Sequence, residues 1–184
     1  MRKNKLIRTI ITVVVLITVV VVLVQHFHIR YFHTVEPEVL YTSGQPRGMD
    51  YPRLLYRYHI ATIVNVRMAP EHRERNWRSE EIVWARSNAV RYIEMPIDRD
   101  KYFPDQQTQQ QFLAIMADKD NLSVLVHGSG DDRRVAMLVA VWLRRGQGQT
   151  SEQTIGVIEK IIDGGLLTQE EVKFINGLTQ QVSQ

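Results

Sequence analysis

Cysteine is absent from the 184 residues. That single absence excludes disulfides, thiolate metal sites and thiol catalysis together. Excess charge is also lacking over most of the chain, although the pI near 9.3 suggests otherwise. Arg2, Lys3, Lys5 and Arg8 crowd the first eight positions, and setting those four aside leaves 19 Lys and Arg (23 less 4) against 20 Asp and Glu. The remainder is near neutral and carries no electrostatic footprint for DNA or RNA. No internal repeat or long low-complexity tract is visible; the glutamines at 106–111 read as a solvated helix face. The Walker pattern is missing, because no Gly-Lys-Ser/Thr follows a glycine loop. The nucleophile elbow Gly-x-Ser-x-Gly also fails, since His127 stands two residues before Ser129.

What is present begins with an apolar run. Residues 9–25 are uncharged and nearly all Val, Ile, Leu and Thr. With the flanking Leu6 and Ile7, and with Arg8 able to snorkel, the run is long enough to cross a bilayer as a helix. Val24-Gln-His-Phe-His-Ile29 offers no small-residue cleavage site, which favours an anchor over a removed signal. Basic residues precede the run and only Arg30 closely follows it. The positive-inside rule then predicts a cytoplasmic stub at 1–8, a transmembrane anchor at 9–27, a linker at 28–38 and an extracytoplasmic domain at 39–184. His26, His28 and His33 read as interfacial or linker residues, so no metal ion or other cofactor is expected.

Beyond the linker, strands and helices alternate. Strands are expected at 39–42, 61–66, 90–95 and 122–127, and helices at 50–58, 70–89, 106–117, 135–143, 150–163 and 168–178. Trp77, Trp84 and Ala85 share one face of the second helix. Thr168 with Glu171 fits a capping box. The helix at 135–143 is apolar nearly all round and should be buried. This alternation predicts an α/β fold with a mostly parallel central sheet flanked by helices.

The stretch Val124-Leu-Val-His-Gly-Ser-Gly-Asp-Asp-Arg-Arg134 carries the chemistry. A strand, a glycine loop and a helix start can cradle an anion with backbone N–H groups. Ser129 and Gly130 would line such a loop, and Arg133 or Arg134 could fork onto phosphate oxygens. Asp131 and Asp132 oppose that reading, because they would repel a phosphate dianion, and carboxylates near a helix N-terminus have the plain alternative role of complementing its dipole. Spacing alone leaves anion site and structural connection both open.

The chain resembles the cysteine-dependent dual-specificity and tyrosine phosphatase superfamily. It is similar more narrowly to the bacterial branch described as the phosphatase domain fused to NAD kinase. The resemblance rests on Leu40-Tyr-Thr-Ser-Gly-Gln-Pro46, Ile63-Val-Asn-Val-Arg67, Tyr92-Ile-Glu-Met-Pro-Ile97 and Val124-Leu-Val-His127 with its loop. It implies a dual-specificity-phosphatase-like sheet and a loop of His, Cys, five residues and Arg. His127 and Arg134 match the ends of that signature, and Gly128 stands at the nucleophile. Residues 129–134 are then the phosphate-binding positions, and Asp98 or Asp100 is a vestigial general acid or else a solvated loop carboxylate. Arg67 could reach the pocket rim or pair with Glu71. Asp131 replaces the usual loop glycine, and Val135 replaces the usual hydroxyl after the arginine. A register slipped by one would give Arg133 the arginine role and His127 the nucleophile's.

Glycine has no side chain with which to attack phosphorus. The expectation is a membrane-anchored pseudophosphatase that holds a phosphorylated protein or lipid without thiol-based hydrolysis. Two alternatives stand beside it: an active phosphatase using Ser129, His127 or metal-bound water, and a scaffold that binds a protein partner and ignores phosphate.

Overall fold

The computed structural model describes residues 2–73, 76–130, 133–162 and 165–178; within the first helix, the side chains described are those of Lys5 and residues 7–20. That helix, α1, runs Arg2–Phe27. The domain that follows contains strands β1 (His33–Glu36), β2 (Leu40–Ser43), β3 (Thr62–Asn65), β4 (Arg91–Glu94) and β5 (Val124–His127). Helices α2 (Asp50–Tyr56), α3 (Trp77–Ser87), α4 (Gln106–Ala117), α5 (Arg133–Val141), α6 (Ser151–Ile161) and α7 (Gln169–Gly177) alternate with them.

The sheet order is β1-β2-β5-β3-β4. β2, β5, β3 and β4 are parallel, and β1 pairs antiparallel with β2 at the edge. β1 falls within the segment expected as linker. Its four residues, His-Thr-Val-Glu, offer too short an alternation to mark a strand from sequence, and pairing with β2 supplies what the pattern lacks. Ile29, just before it, is buried with Tyr41, Tyr51 and Leu54.

Strand periodicity sorts the core into two layers. Leu40, Val64, Val124 and Val126 face α5, which is buried on all sides and carries α4, α6 and α7 around it. Tyr41, Ile63 and Leu125 face the other way, onto Tyr51, Leu54 and Ala85 of α2 and α3. The predicted helix at 70–89 is broken. A single 3-10 turn at Ala69–His72 comes first, residues 74–75 lie outside the described residues, and α3 starts at Trp77. Pro70 is suited to a helix start, not an interior, and fits the 3-10 turn. A π-helical turn at Trp142–Gly146 closes α5. Caps begin the later helices: Thr168 forms the expected capping box, Thr150 forms a second one, and Asp105 accepts from Thr108 N–H at 2.8 Å.

The helix expected over the apolar run is present as α1. Among the described residues, however, no helix is long and apolar enough to cross a membrane. The described apolar stretch, 7–20, spans about 21 Å at ~1.5 Å per residue, against the ~30 Å hydrocarbon core. The side chains of 21–27, the rest of the expected anchor and including His26, lie outside the described residues.

Candidate active site

The carboxyl ends of the parallel strands bring together a row of polar side chains. Ser43, His127 and Asn65 stand side by side in register, followed by Glu94 on β4. The crevice outside the carboxyl ends of the strands is where open α/β sheets bind ligands. The chain leaves β5 at that edge through residues 128–130, and α5 begins at Arg133. Asp131 and Asp132 lie outside the described residues.

Arg134 is the anchor of the site. Its side chain is 1% exposed, and its Nη1 and Nη2 donate to Glu71 Oε1 and Oε2 at 2.6 and 2.9 Å. Nη1 also donates to the carbonyl of Ile97 at 3.1 Å. This fork reaches across the edge and ties the loop after β5 to the 3-10 turn after β3 and to the loop after β4. Burial pushes the Glu71 carboxyl up. Hydrogen bonds from Arg134 and Met68 N–H, with the charges of Arg134 and Arg67, outweigh it and hold the group below its ordinary value.

Arg133 is taken as well. Its Nη1 donates to both oxygens of the fully buried Glu171, at 2.6 and 2.5 Å. Burial again raises the carboxyl, but Arg133 and the Thr168 cap lower it overall. Glu171 thus closes the capping box of α7 and holds the first residue of α5. Phe174, three residues on, packs its ring against Phe103 in a tilted contact at 4.9 Å, so α7 also grips the loop after β4. The depression between α4 and α7, about 660 Å³, is lined by Phe103, Gln109, Arg145 and Phe174 and includes no residue of the loop after β5.

Both carboxylates bind a proton less readily in the fold than at their ordinary value of 4.5. Their ion pairs therefore contribute in full above that value and are lost as pH falls through the lowered folded ones. The thermal midpoint is expected to drop as pH falls below about 4.5, and the double variant Glu71→Gln/Glu171→Gln should flatten that slope. Parallel slopes in parent and variant would show that the acid sensitivity lies elsewhere.

The His127 ring lies between α3 and the first carbonyl of the loop. Strand alternation puts it on the face of Leu125, toward α3, and it is fully buried. Its Nε2 lies 3.2 Å from Glu81 Oε1, a close contact that is not aligned as a hydrogen bond, and its Nδ1 lies 3.3 Å from the Gly128 carbonyl. Neither nitrogen is presented to a phosphoryl group above the loop, so this geometry does not fit the nucleophile role of the slipped register. Its partner Glu81 is itself fully buried and was not anticipated. The signal was available: Glu81 falls four residues after Trp77 and four before Ala85, on the apolar stripe of α3. Burial, and then the Glu81 charge, push the Tyr51 and Tyr92 hydroxyls upward.

Asp98 and Asp100 are exposed in the loop after β4. Asp98 Oδ1 accepts from Asp100 N–H at 2.8 Å and so caps its own turn. The hold of Arg134 on the Ile97 carbonyl keeps Asp98 next to the site. Arg67 is buried at the end of β3. It donates to Gln45 Oε1 at 2.7 Å and to the Glu71 carbonyl, while the Glu71 carboxylate goes to Arg134. Gln45 was not anticipated; it belongs to the Ser-Gly-Gln-Pro turn after β2. Among the described residues no group of three or more His, Asp or Glu is placed to hold a metal ion.

No family model matches the chain. A curated protein from Saccharomyces cerevisiae, the tyrosine-protein phosphatase-like protein OCA2, is 24% identical over 138 residues, which are 74% of this chain and 66% of that protein. The chain thus spans slightly less than two thirds of that relative. The core catalytic domain of the PP-IP phosphatase SIW14 from S. cerevisiae, solved with citrate, superposes with a TM-score of 0.66 at 15% identity, covering 81% of this chain and 85% of that one. PTPMT1 in complex with PI(5)P gives 0.65 at 16% identity, covering 80% and 94%. The strand order, the loop between β5 and α5 and these likenesses agree: the chain has the fold of the cysteine-dependent phosphatases and resembles the tyrosine and dual-specificity phosphatase superfamily.

Proposed function

We propose that the protein is a membrane-anchored pseudophosphatase that holds a phosphoryl group without cleaving it. The observation that carries this reading is the pairing of a retained, buried Arg134 with Gly128 at the start of the loop. In this reading Gly128 occupies the nucleophile position, and loop amides of Ser129 and Gly130 with Arg134 form the grip. OCA2 bears the name phosphatase-like, and PTPMT1 binds a phosphorylated lipid, which supports a phosphoryl ligand here. Arg134 already holds Glu71, so an incoming phosphate meets a neutralised fork and binding is weak, with a Kd on the order of 1 mM.

The anchor belongs to the same proposal. α1 exposes Ile10, Val14, Leu16 and Ile17, each more than half accessible. Thr9, Thr12 and Thr18 donate their hydroxyls to the carbonyls of Lys5, Arg8 and Val14 at 3.0, 3.0 and 2.9 Å. Such back-bonding hides a polar group that lipid would not solvate. The basic stub then stays in the cytoplasm and the domain faces outward.

Calorimetric titration of the full chain in nanodiscs with inorganic phosphate tests the grip. Saturable binding in the parent and none in Arg134→Ala is the expected result. A flat titration in the parent would favour the scaffold reading, in which Glu71 and Glu171 keep both arginines closed to anions.

A further inference from the structure

The residues between α1 and β1 do not hang free. Gly44 N–H donates to the Arg30 carbonyl at 2.9 Å, which fixes Arg30 to the turn after β2. Tyr31 follows with φ of +53°, a left-handed conformation that a bulky residue adopts only when its surroundings demand it. That turn lays its ring on the phosphate loop. A Cβ added to Gly130 would sit 3.5 Å from Tyr31 Cε2, and one added to Gly44 would sit 3.2 Å from Tyr31 Cδ2 and 3.3 Å from Gly130 Cα. Gly44, Gly130 and the Tyr31 ring therefore meet in one contact, tight at Gly44, where a side chain would have to push the ring or the Gly130 backbone aside, and of ordinary packing distance at Gly130.

The same ring carries the Arg30 side chain. The guanidinium lies 5.0 Å from the ring centre, and Nη2 donates to the Tyr31 hydroxyl at 3.3 Å. Arg30 is exposed, and among the described residues no carboxylate pairs with it. Arg133 and Arg134 differ in this respect, since Glu171 and Glu71 hold them. Beside the loop there is thus a guanidinium whose charge is not neutralised. It opens on a depression of about 540 Å³ lined by His28, Arg30, Tyr31, Phe32 and His33, with no acidic residue among them.

We propose that Arg30 forms a second anion subsite beside the phosphate loop, so that the site selects ligands carrying two phosphoryl groups over those carrying one. The inference rests on the reading that the loop itself holds a phosphoryl group. One group sits in the loop under Arg134, and the other reaches across Tyr31 to Arg30, where a guanidinium can fork onto it. The shared chemistry is a bisphosphate. Its source is either a soluble metabolite or a lipid headgroup that carries a phosphomonoester beside its phosphodiester. α1 ends only three residues before Arg30, so an anchored α1 puts this subsite at headgroup level, where anionic lipid is concentrated.

The test compares ligands on the full chain in nanodiscs of neutral lipid. Fructose 1,6-bisphosphate, fructose 6-phosphate and inorganic phosphate are titrated into parent and Arg30→Ala. A bisphosphate preference of roughly tenfold is expected in the parent, falling to about one in Arg30→Ala, with Arg30→Lys in between because it keeps charge without the fork. A parallel arm places phosphatidylinositol phosphate in the nanodisc and reads competition with fructose 6-phosphate. Arg30-dependent competition there, exceeding that of the soluble bisphosphate, assigns the lipid source; the reverse assigns the soluble one. Equal affinities for bisphosphate and monophosphate in the parent, or a preference that survives Arg30→Ala, would overturn the subsite alone. No binding of inorganic phosphate or either sugar phosphate would overturn the loop reading, and the subsite with it. An unchanged thermal midpoint in Arg30→Ala checks that the exposed side chain was removed without loss of fold.

Discussion

Gly128→Cys is expected to raise hydrolysis of an aryl phosphate far above the parent's, which the proposed pseudophosphatase reading puts at none. A thiol at 128 would sit directly after β5, at the mouth of a loop that leads into the N-terminus of α5. Helix N-termini favour the thiolate, the form that attacks. Loss of a covalent nucleophile costs on the order of 10⁶ in turnover elsewhere. Restoration here should recover only part of that factor. Val135 leaves no hydroxyl to help the thiolate depart, Asp98 is engaged in capping its own turn, and Arg134 already holds Glu71. A rise of at least ~10²-fold over the parent is expected, and Asp98→Asn in the cysteine background should lower it again by ~10²-fold if Asp98 protonates the leaving oxygen. A folded cysteine variant as silent as the parent would mean that the loop does not hold phosphorus in line for attack.

Arg134→Ala should damage both fold and binding. The variant leaves the Glu71 carboxylate half-buried and without its fork, and it frees the Ile97 carbonyl. Removing one partner of a buried ion pair costs about 3–5 kcal/mol. For a domain of this size that lowers the thermal midpoint by about 10 °C. Arg134→Lys should recover little, because an ammonium cannot fork onto Glu71 and reach Ile97 at once. Arg134→Met/Glu71→Met separates the two effects. With both charges gone the midpoint should return to near the parent's, while phosphate binding stays lost. A double variant that still bound phosphate would remove Arg134 from the site.

Much of the layout was legible in the residues because the signals were periodic. The run Val124-Leu-Val-His and the all-round apolar 135–143 could only be a central strand and a buried helix, and both are found there. Thr168 and Glu171 announced a helix start through chemistry local to four residues. What escaped was long-range. β1 exists because β2 offers it an edge. Glu81 was not singled out within the amphipathic helix, yet its position on the stripe of Ala85 buries it against His127. The same holds for the arginines. Sequence spacing nominated Arg133 and Arg134 as anion forks, but their partners lie 38 and 63 residues away. Only the fold reveals that both forks are already occupied, and that Arg30, at the edge of what read as a linker, is not.

Phosphorus-31 NMR of the full chain with an aryl phosphate over about pH 5–8 reports grip and turnover in one spectrum. The account predicts a substrate resonance that shifts and broadens with protein concentration, loses that response in Arg134→Ala, and never gives way to inorganic phosphate. A growing inorganic phosphate signal, in molar excess over the chain and abolished by changes in the loop, would contradict it.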